Sequence, residues 1–311
     1  MTEQPSVIVF GYHEVGTACL ELLIARGVPV AALVTHADDP GEEIWFRTPA
    51  SVAEARGIPV FRPDNPNTPK WRALLQELRP QVLLSCYYRQ MLGPDLLALC
   101  PLGAFNLHGS LLPRYRGRVP INWAIIHGEP ETGATLHRMT VRADAGDIVD
   151  QERVPIGSHD TAQEVFARVT VAARTVLDRS LAAILAGTPP QRPQDEANAS
   201  YFGGRRPQDG RIDWRWDANR IFNLIRAVTH PYPGAFTSVA GKRLYIWWAE
   251  PCAGSGPPGS VLTTHPMVIA AGRGALAVRR AQWEGAPEQD ADVLEGLLSG
   301  MMLDQSECGD S

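Results

Sequence analysis

The chain has 311 residues, 44% hydrophobic and 20% charged, an ordinary composition for a soluble globular protein of one or two domains. Its 29 basic and 34 acidic residues leave a net charge of −5, which argues against a broad nucleic-acid-binding face but not against a local basic patch. No apolar run approaches the roughly 18 to 20 residues that span a bilayer, no basic stretch marks a secretory signal, and five scattered cysteines lack a Cys-x-x-Cys pair, so a cytoplasmic protein without structural zinc or disulfides is expected.

Val7 to Phe10 is a buried strand, followed by a helix through Cys19 to Ile24 and a second strand at 30–34. A short helix at 51–56 and a short strand at 59–61 come next. Thr68 and Pro69 stand at the N-cap and first position of a helix that Pro80 ends. Residues 81–86 form a strand, Pro94 opens a short helix, 103–108 is a further strand, and Pro120 starts another helix. Extended segments are predicted at 134–140 and 148–156. The helix over 161–186 has a Thr161-x-x-Glu164 capping box, apolar residues at helical spacing, and Gly187 at its stop. This alternation predicts an α/β class, with a Rossmann-like parallel sheet in a domain over 1–190.

Residues 191–210, rich in Pro, Gln, Gly and Arg, read as a linker. From 211 to 300 a helix (218–228) precedes short runs at 235–239, 243–248, 260–262, 267–270 and 275–279. They predict a small OB-like β-barrel. A last helix is predicted at 290–298 and a loose polar tail at 301–311.

Gly11 to Gly16 joins the first strand and helix, where doubly wound folds bind phosphates, but it lacks the G-x-G-x-x-G pattern. It is either a ligand loop or a turn that needs small residues. Asn106 and His108, two apart on one strand, share a face and need either partners or a function. The following loop carries Arg114, Arg116 and Arg118 at the sheet's carboxyl edge, suited to phosphate or carboxylate, or else simply solvated. Asp144 stands in a turn between extended segments, which is ordinary turn chemistry by itself. Beside His108 it would complete a trio. His takes a proton, Asp orients and charge-stabilises it, and the Asn amide donates to a developing oxyanion.

Together, Asn106-x-His108-x-Ser110-Leu111-Leu112-Pro113-x-x-x-Gly117, Thr132-Gly133 and Asp144-x-Gly146-Asp147-Ile148 resemble the folate-dependent formyltransferases, over nearly the whole chain. The runs at 85–89, 104–110, 136–139 and 142–146 are similar to one branch of that family. So are Thr35-His36, Asp39 to Glu42, and Pro231 to Phe236. That branch formylates UDP-4-amino-4-deoxy-L-arabinose in lipid A modification and polymyxin resistance. The similarity covers its formylating half and not its NAD-dependent decarboxylating domain, so a stand-alone enzyme and a piece of a longer one are both open.

The resemblance implies N10-formyltetrahydrofolate as donor, no metal, and Asn106, His108 and Asp144 as catalytic residues. By matching positions, Gln90, Met91, Leu92, Arg118, Thr140, Val141, Arg142, Ala143 and Asp144 line the folate site. Arg205 and Arg206 are candidates for the diphosphate of a nucleotide sugar, or else solvate the linker. Folate and a nucleotide sugar are the expected partners, with no nucleic acid and no membrane; the oligomeric state is not expressed in the sequence. The alternative is a methionyl-tRNA formyltransferase, but Asp38-Asp39-Pro40-Gly41-Glu42-Glu43 is acidic where the tRNA enzymes carry basic residues. A formyl-folate hydrolase and a catalytically silent binding module would keep the same fold.

Overall fold

The computed structural model describes residues 4–38 and 44–303; Asp39 to Glu43, within the acidic stretch, and 304–311 of the polar tail lie outside the described residues. Strands β1 (Val7–Gly11), β2 (Val30–Val34), β3 (Val60–Phe61), β4 (Val82–Cys86) and β5 (Gly103–His108) alternate with helices α1 (His13–Ala25), α2 (Pro49–Glu54), α3 (Pro69–Glu77) and α4 (Pro94–Leu97). Then come β6 (Arg116–Gly117), α5 (Pro120–Ile126), β7 (Glu131–Arg138), β8 (Ile148–Pro155), α6 (Ala162–Leu185) and β9 (Tyr201–Phe202). Helix starts follow the local chemistry. The Thr68 hydroxyl accepts from the Trp71 N–H, and Thr161 and Glu164 exchange both bonds of their capping box.

The chain divides into two compact units. The first comprises Met1–Pro120, Glu131–Pro155 and Phe166–Gly203. Its seven-stranded sheet has the order β3-β2-β1-β4-β5-β7-β8. β3 through β5 are parallel, and β1 and β4 are buried throughout, as their continuous apolar sequences require. β7 runs antiparallel to β5, and β8 antiparallel to β7, so the sheet is mixed at this end. β7 starts three residues before the predicted segment and ends two before it, at Arg138; the Met139 N–H still bonds the Ala104 carbonyl, and Thr140 to Asp144 are loop. Residues 188–203 are built into this unit. Arg192 exchanges two backbone bonds with Ile148, and β9 pairs with β6.

The second unit comprises Ile121–Pro130, Ile156–Val165 and Gly204–Ser311. It contains α7 (Ala218–Val228) and strands β10 (Ala235–Val239), β11 (Lys242–Cys252), β12 (Val261–Thr264), β13 (Met267–Ala270), β14 (Ala275–Trp283) and β15 (Gln289–Asp290). The sheet is antiparallel in the order β10-β11-β14-β13-β12, with β15 beside β14. Among the described residues no ladder joins β10 to β12. Isolated bridges at Arg211–Phe236 and Ser260–Met302 cover the two ends. The predicted helix at 290–298 is absent. Gln289 and Asp290 pair with β14, only Ala291–Val293 makes a 3₁₀ turn, and Gly296 takes φ +93°, which ends any helical path.

Candidate active site

Strand pairing assembles the site. β5 between β4 and β7 sets Asn106 opposite His137 and His108 opposite Thr135, so all four side chains stand on one face of the first unit's sheet. His108, Thr135 and His137 are buried.

The loop after β7 carries Asp144 back over that face. Its Oδ2 accepts the Gly117 N–H at 2.9 Å and lies 3.6 Å from His108 Nδ1. Its Oδ1 lies 3.4 Å from both His137 Nε2 and Asn106 Nδ2. Burial pushes the Asp144 carboxyl up, but the His108 charge and the hydrogen bonds the carboxylate accepts, that of the Gly117 N–H among them, outweigh it and hold the group well below the usual carboxylate range. The backbone at Asp144 has φ +53°, a conformation that L side chains avoid. Two neighbouring glycines stand where no side chain would fit. Gly117 has φ +98°, and a Cβ there would meet the Phe202 carbonyl oxygen at 2.2 Å; one at Gly146 would meet the Arg138 carbonyl oxygen at 2.0 Å.

The partners assign the protons. His137 Nδ1 lies 2.8 Å from the Arg138 carbonyl oxygen, so this nitrogen bears the hydrogen and Nε2 accepts from Asn106 Nδ2 at 3.1 Å. His108 Nε2 lies 2.7 Å from the Tyr115 carbonyl oxygen and donates to it. Nδ1, facing Asp144, is then the nitrogen that exchanges a proton. Asn106 thus gives one N–H to His137, while its contact to Asp144 is long and weak.

Thr135 and Ser110 fix the loop after β5. Thr135 Oγ1 donates to the Ser110 carbonyl at 2.6 Å and accepts from the Leu112 N–H and from Gln151 Nε2. Ser110 Oγ donates to the Arg114 carbonyl. Of the three loop arginines, Arg114 and Arg118 are exposed. Arg116 is fully buried in bonds to Gln194, Glu196 and Tyr201, so the reading of all three as ligand or solvent contacts fails for it.

Arg118 apart, the positions matched to the folate site fall on two turns, 90–92 and 140–144. Leu92 belongs to a core cluster against which Met139 packs. From that cluster emerge Gln90, which bonds the Asp64 carbonyl, and Met91, 56% exposed. Thr140 bonds the Arg142 carbonyl, Val141 is 67% exposed, Ala143 is half-buried, and Arg142 pairs with Glu196 over the Tyr201 ring. Arg118 gives its backbone N–H to Phe202. Arg205 and Arg206 belong to the second unit. The Arg205 guanidinium lies over the Trp123 ring and bonds the Asp209 carbonyl, and the Arg206 N–H bonds the Asp209 carboxylate. The Gly11 to Gly16 turn is packed with aromatic rings, His13 stacking on Phe46 with centroids 3.5 Å apart. Two contributors, His137 and Gln194, were not singled out from the sequence. His137 is signalled there only as a buried polar residue two from Thr135 on the same strand face.

Among the described residues no group of three or more His, Cys, Asp or Glu could hold a metal ion, and no helix is long and apolar enough to cross a membrane.

Two family models match the chain: formyl transferase over residues 6–181, and formyl transferase, C-terminal domain, over residues 205–297. Solved structures share the fold. WlaRD, a sugar 3N-formyl transferase studied in the presence of dTDP and 5-N-formyl-THF, is 18% identical with TM-score 0.68, covering 92% of this chain and 100% of its own. An N-formyltransferase from Helicobacter canadensis in complex with folinic acid and dTDP-3-aminofucose is 20% identical with TM-score 0.70, covering 89% and 99%. HypX from Aquifex aeolicus in complex with tetrahydrofolic acid is 17% identical with TM-score 0.64, covering 93% of this chain and 46% of HypX.

Proposed function

Because this chain belongs to the formyl transferase family, we propose that it moves a formyl group from N10-formyltetrahydrofolate to the amine of a nucleotide-linked amino sugar, UDP-4-amino-4-deoxy-L-arabinose before others. The observation that carries the reading is the ionised Asp144 carboxylate lodged between His108, His137, Asn106 and the Gly117 N–H. The donor is supported by the exposed apolar side chains of Met91 and Val141, which a flat heterocycle would cover, and by the Arg142 guanidinium, which suits a carboxylate. Structural relatives studied with formylated folates point the same way. Those relatives were studied with dTDP or a dTDP-sugar; the preference for a UDP sugar here rests on the sequence runs at 104–110, 136–139 and 142–146.

The donor supplies an activated formyl carbon. The acceptor nitrogen bonds that carbon, the bond to the folate nitrogen breaks, and one proton passes from the amine to the departing nitrogen. His108 Nδ1 carries that proton, and Asp144 stabilises the imidazolium while it is there. The loosely held second N–H of Asn106 is the group placed to donate to the formyl oxygen as charge develops on it.

A net charge of −5 does not favour tRNA as acceptor, since RNA affinity is dominated by phosphate neutralisation. Free thiols at Cys19, Cys86, Cys100 and Cys252 suit a cytoplasmic setting. The deciding experiment presents the protein and 10-formyltetrahydrofolate with UDP- and dTDP-linked amino sugars and with methionyl-tRNA, and follows tetrahydrofolate release and acceptor mass. Formylation of the UDP 4-amino sugar is expected. Formylation of only the tRNA overturns the acceptor, and no formylated product overturns the reaction.

A further inference from the structure

The segment that reads as linker carries one side chain aimed at the catalytic turn. Gln194 Nε2 donates to the Asp144 carbonyl at 2.8 Å and to the Gly146 carbonyl at 2.7 Å. Its amide oxygen accepts from Arg116 Nε at 3.1 Å and Nη2 at 2.8 Å. The other Arg116 donors go to Glu196 Oε1 (2.6 Å), Glu196 Oε2 (3.1 Å) and the Tyr201 hydroxyl (2.7 Å). All five guanidinium N–H groups are thereby used, in a side chain with no exposure to solvent.

A fully satisfied buried charge is stiff, because each broken bond strands a desolvated donor. Gly117, next in the chain, donates to the Asp144 carboxylate. Asp144 is therefore gripped at its carboxylate by the backbone beside Arg116, and at its carbonyl through Gln194. Both grips hold a residue whose backbone lies in the left-handed region, which non-glycine residues adopt sparingly.

We propose that Arg116 and Gln194 are positioning residues for formyl transfer: the buried guanidinium orients the Gln194 amide, and Gln194 holds Asp144 in the turn that keeps its carboxylate between His108 and His137. The proposal rests on the reading that Asp144 serves the reaction. It makes Gln194→Glu as damaging as Gln194→Ala, since a carboxylate cannot donate to two carbonyls.

The test compares Gln194→Ala, Gln194→Glu and Arg116→Lys with Asp144→Asn. Assays follow transfer from 10-formyltetrahydrofolate to UDP-4-amino-4-deoxy-L-arabinose, with thermal melts and a crystal structure of Gln194→Ala. Gln194→Ala should melt close to wild type and lose about ten- to hundred-fold in kcat, the scale of a misplaced catalytic group, with KM for both substrates nearly unchanged. Arg116→Lys should show the same split; if it fails to fold, Gln194→Ala decides alone. In the Gln194→Ala crystal, Asp144 should leave the left-handed region or draw away from His108, a readout that needs no acceptor. Wild-type kcat in folded Gln194→Ala beside an impaired Asp144→Asn rejects the positioning role alone. An unchanged turn in the crystal does the same. Wild-type turnover in Asp144→Asn rejects the underlying reading instead.

Discussion

Asp144 Oδ2 lies 3.6 Å from His108 Nδ1, and the opposite ring nitrogen of His108 lies 2.7 Å from the Tyr115 carbonyl oxygen. The imidazole is thus fixed by one nitrogen and faces the carboxylate with the other. Asp144→Asn keeps the shape and removes the charge, so it should cost turnover far more than folate affinity. Steady-state kinetics beside calorimetric titration of 5-formyltetrahydrofolate separate the two. A full kcat between pH values of about 6 and 9, a span chosen around the ordinary His pKa, would remove the carboxylate from the proton path.

His108→Ala and Asn106→Ala should each reduce turnover about a hundredfold or more without unfolding the protein. Loss of a proton carrier and loss of an oxyanion donor each carry penalties of that order. Circular dichroism and kinetics on the purified variants check this; near-normal turnover in either folded variant withdraws that residue from the chemistry.

The depressed Asp144 pKa has a sign for stability. The unfolded chain binds a proton near the ordinary carboxylate value of about 4, while the folded chain resists protonation until lower pH. The ion's stabilising contribution is thus present above that value and is lost as pH falls through the folded pKa. The gap in unfolding free energy between wild type and Asp144→Asn should narrow as pH drops from about 5 to 2 in urea titrations. A constant gap would mean that the carboxylate gains nothing from its partners.

His13 behaves oppositely to an exposed histidine. Burial among Trp45, Phe46, Tyr87 and Phe166, with Arg89 adding to it, lowers its pKa to about 3. Between the unfolded value of about 6.5 and this folded one, only the unfolded chain takes the proton. Stability present above about 6.5 is therefore lost on acidification, by on the order of 2 kcal/mol at pH 5. His13→Phe keeps an aromatic ring in place and removes the titration, so its stability should vary less with pH over this window. An unaltered slope in denaturant titrations would place the proton elsewhere.

Arg205 and Arg206 are proposed to meet the diphosphate of the acceptor. The double alanine variant should raise the sugar-nucleotide KM several-fold and leave the folate KM in place. Arg205 also packs on Trp123, so a melt is run in parallel. If neither KM moves, the pair only braces the Asp209 turn.

The sequence by itself indicated most of the elements and the shared strand face of Asn106 and His108, because both are local properties. Apolar runs such as Val7 to Phe10, the Thr68 cap and the Thr161–Glu164 box act within a few residues of themselves. Asn106 and His108 share a face through the two-residue repeat of a strand. Only the tertiary structure decided strand direction at the sheet's end, the His137 contact with Asn106, and the grip of Gln194 on Asp144. The last pair lies 50 residues apart, and Arg116 and Gln194 lie 78 apart. No periodicity encodes such contacts. They follow from burial: once the Arg116 guanidinium is shut away from water, its five donors must find acceptors, and the segment that reads as a loose linker is the one that supplies them.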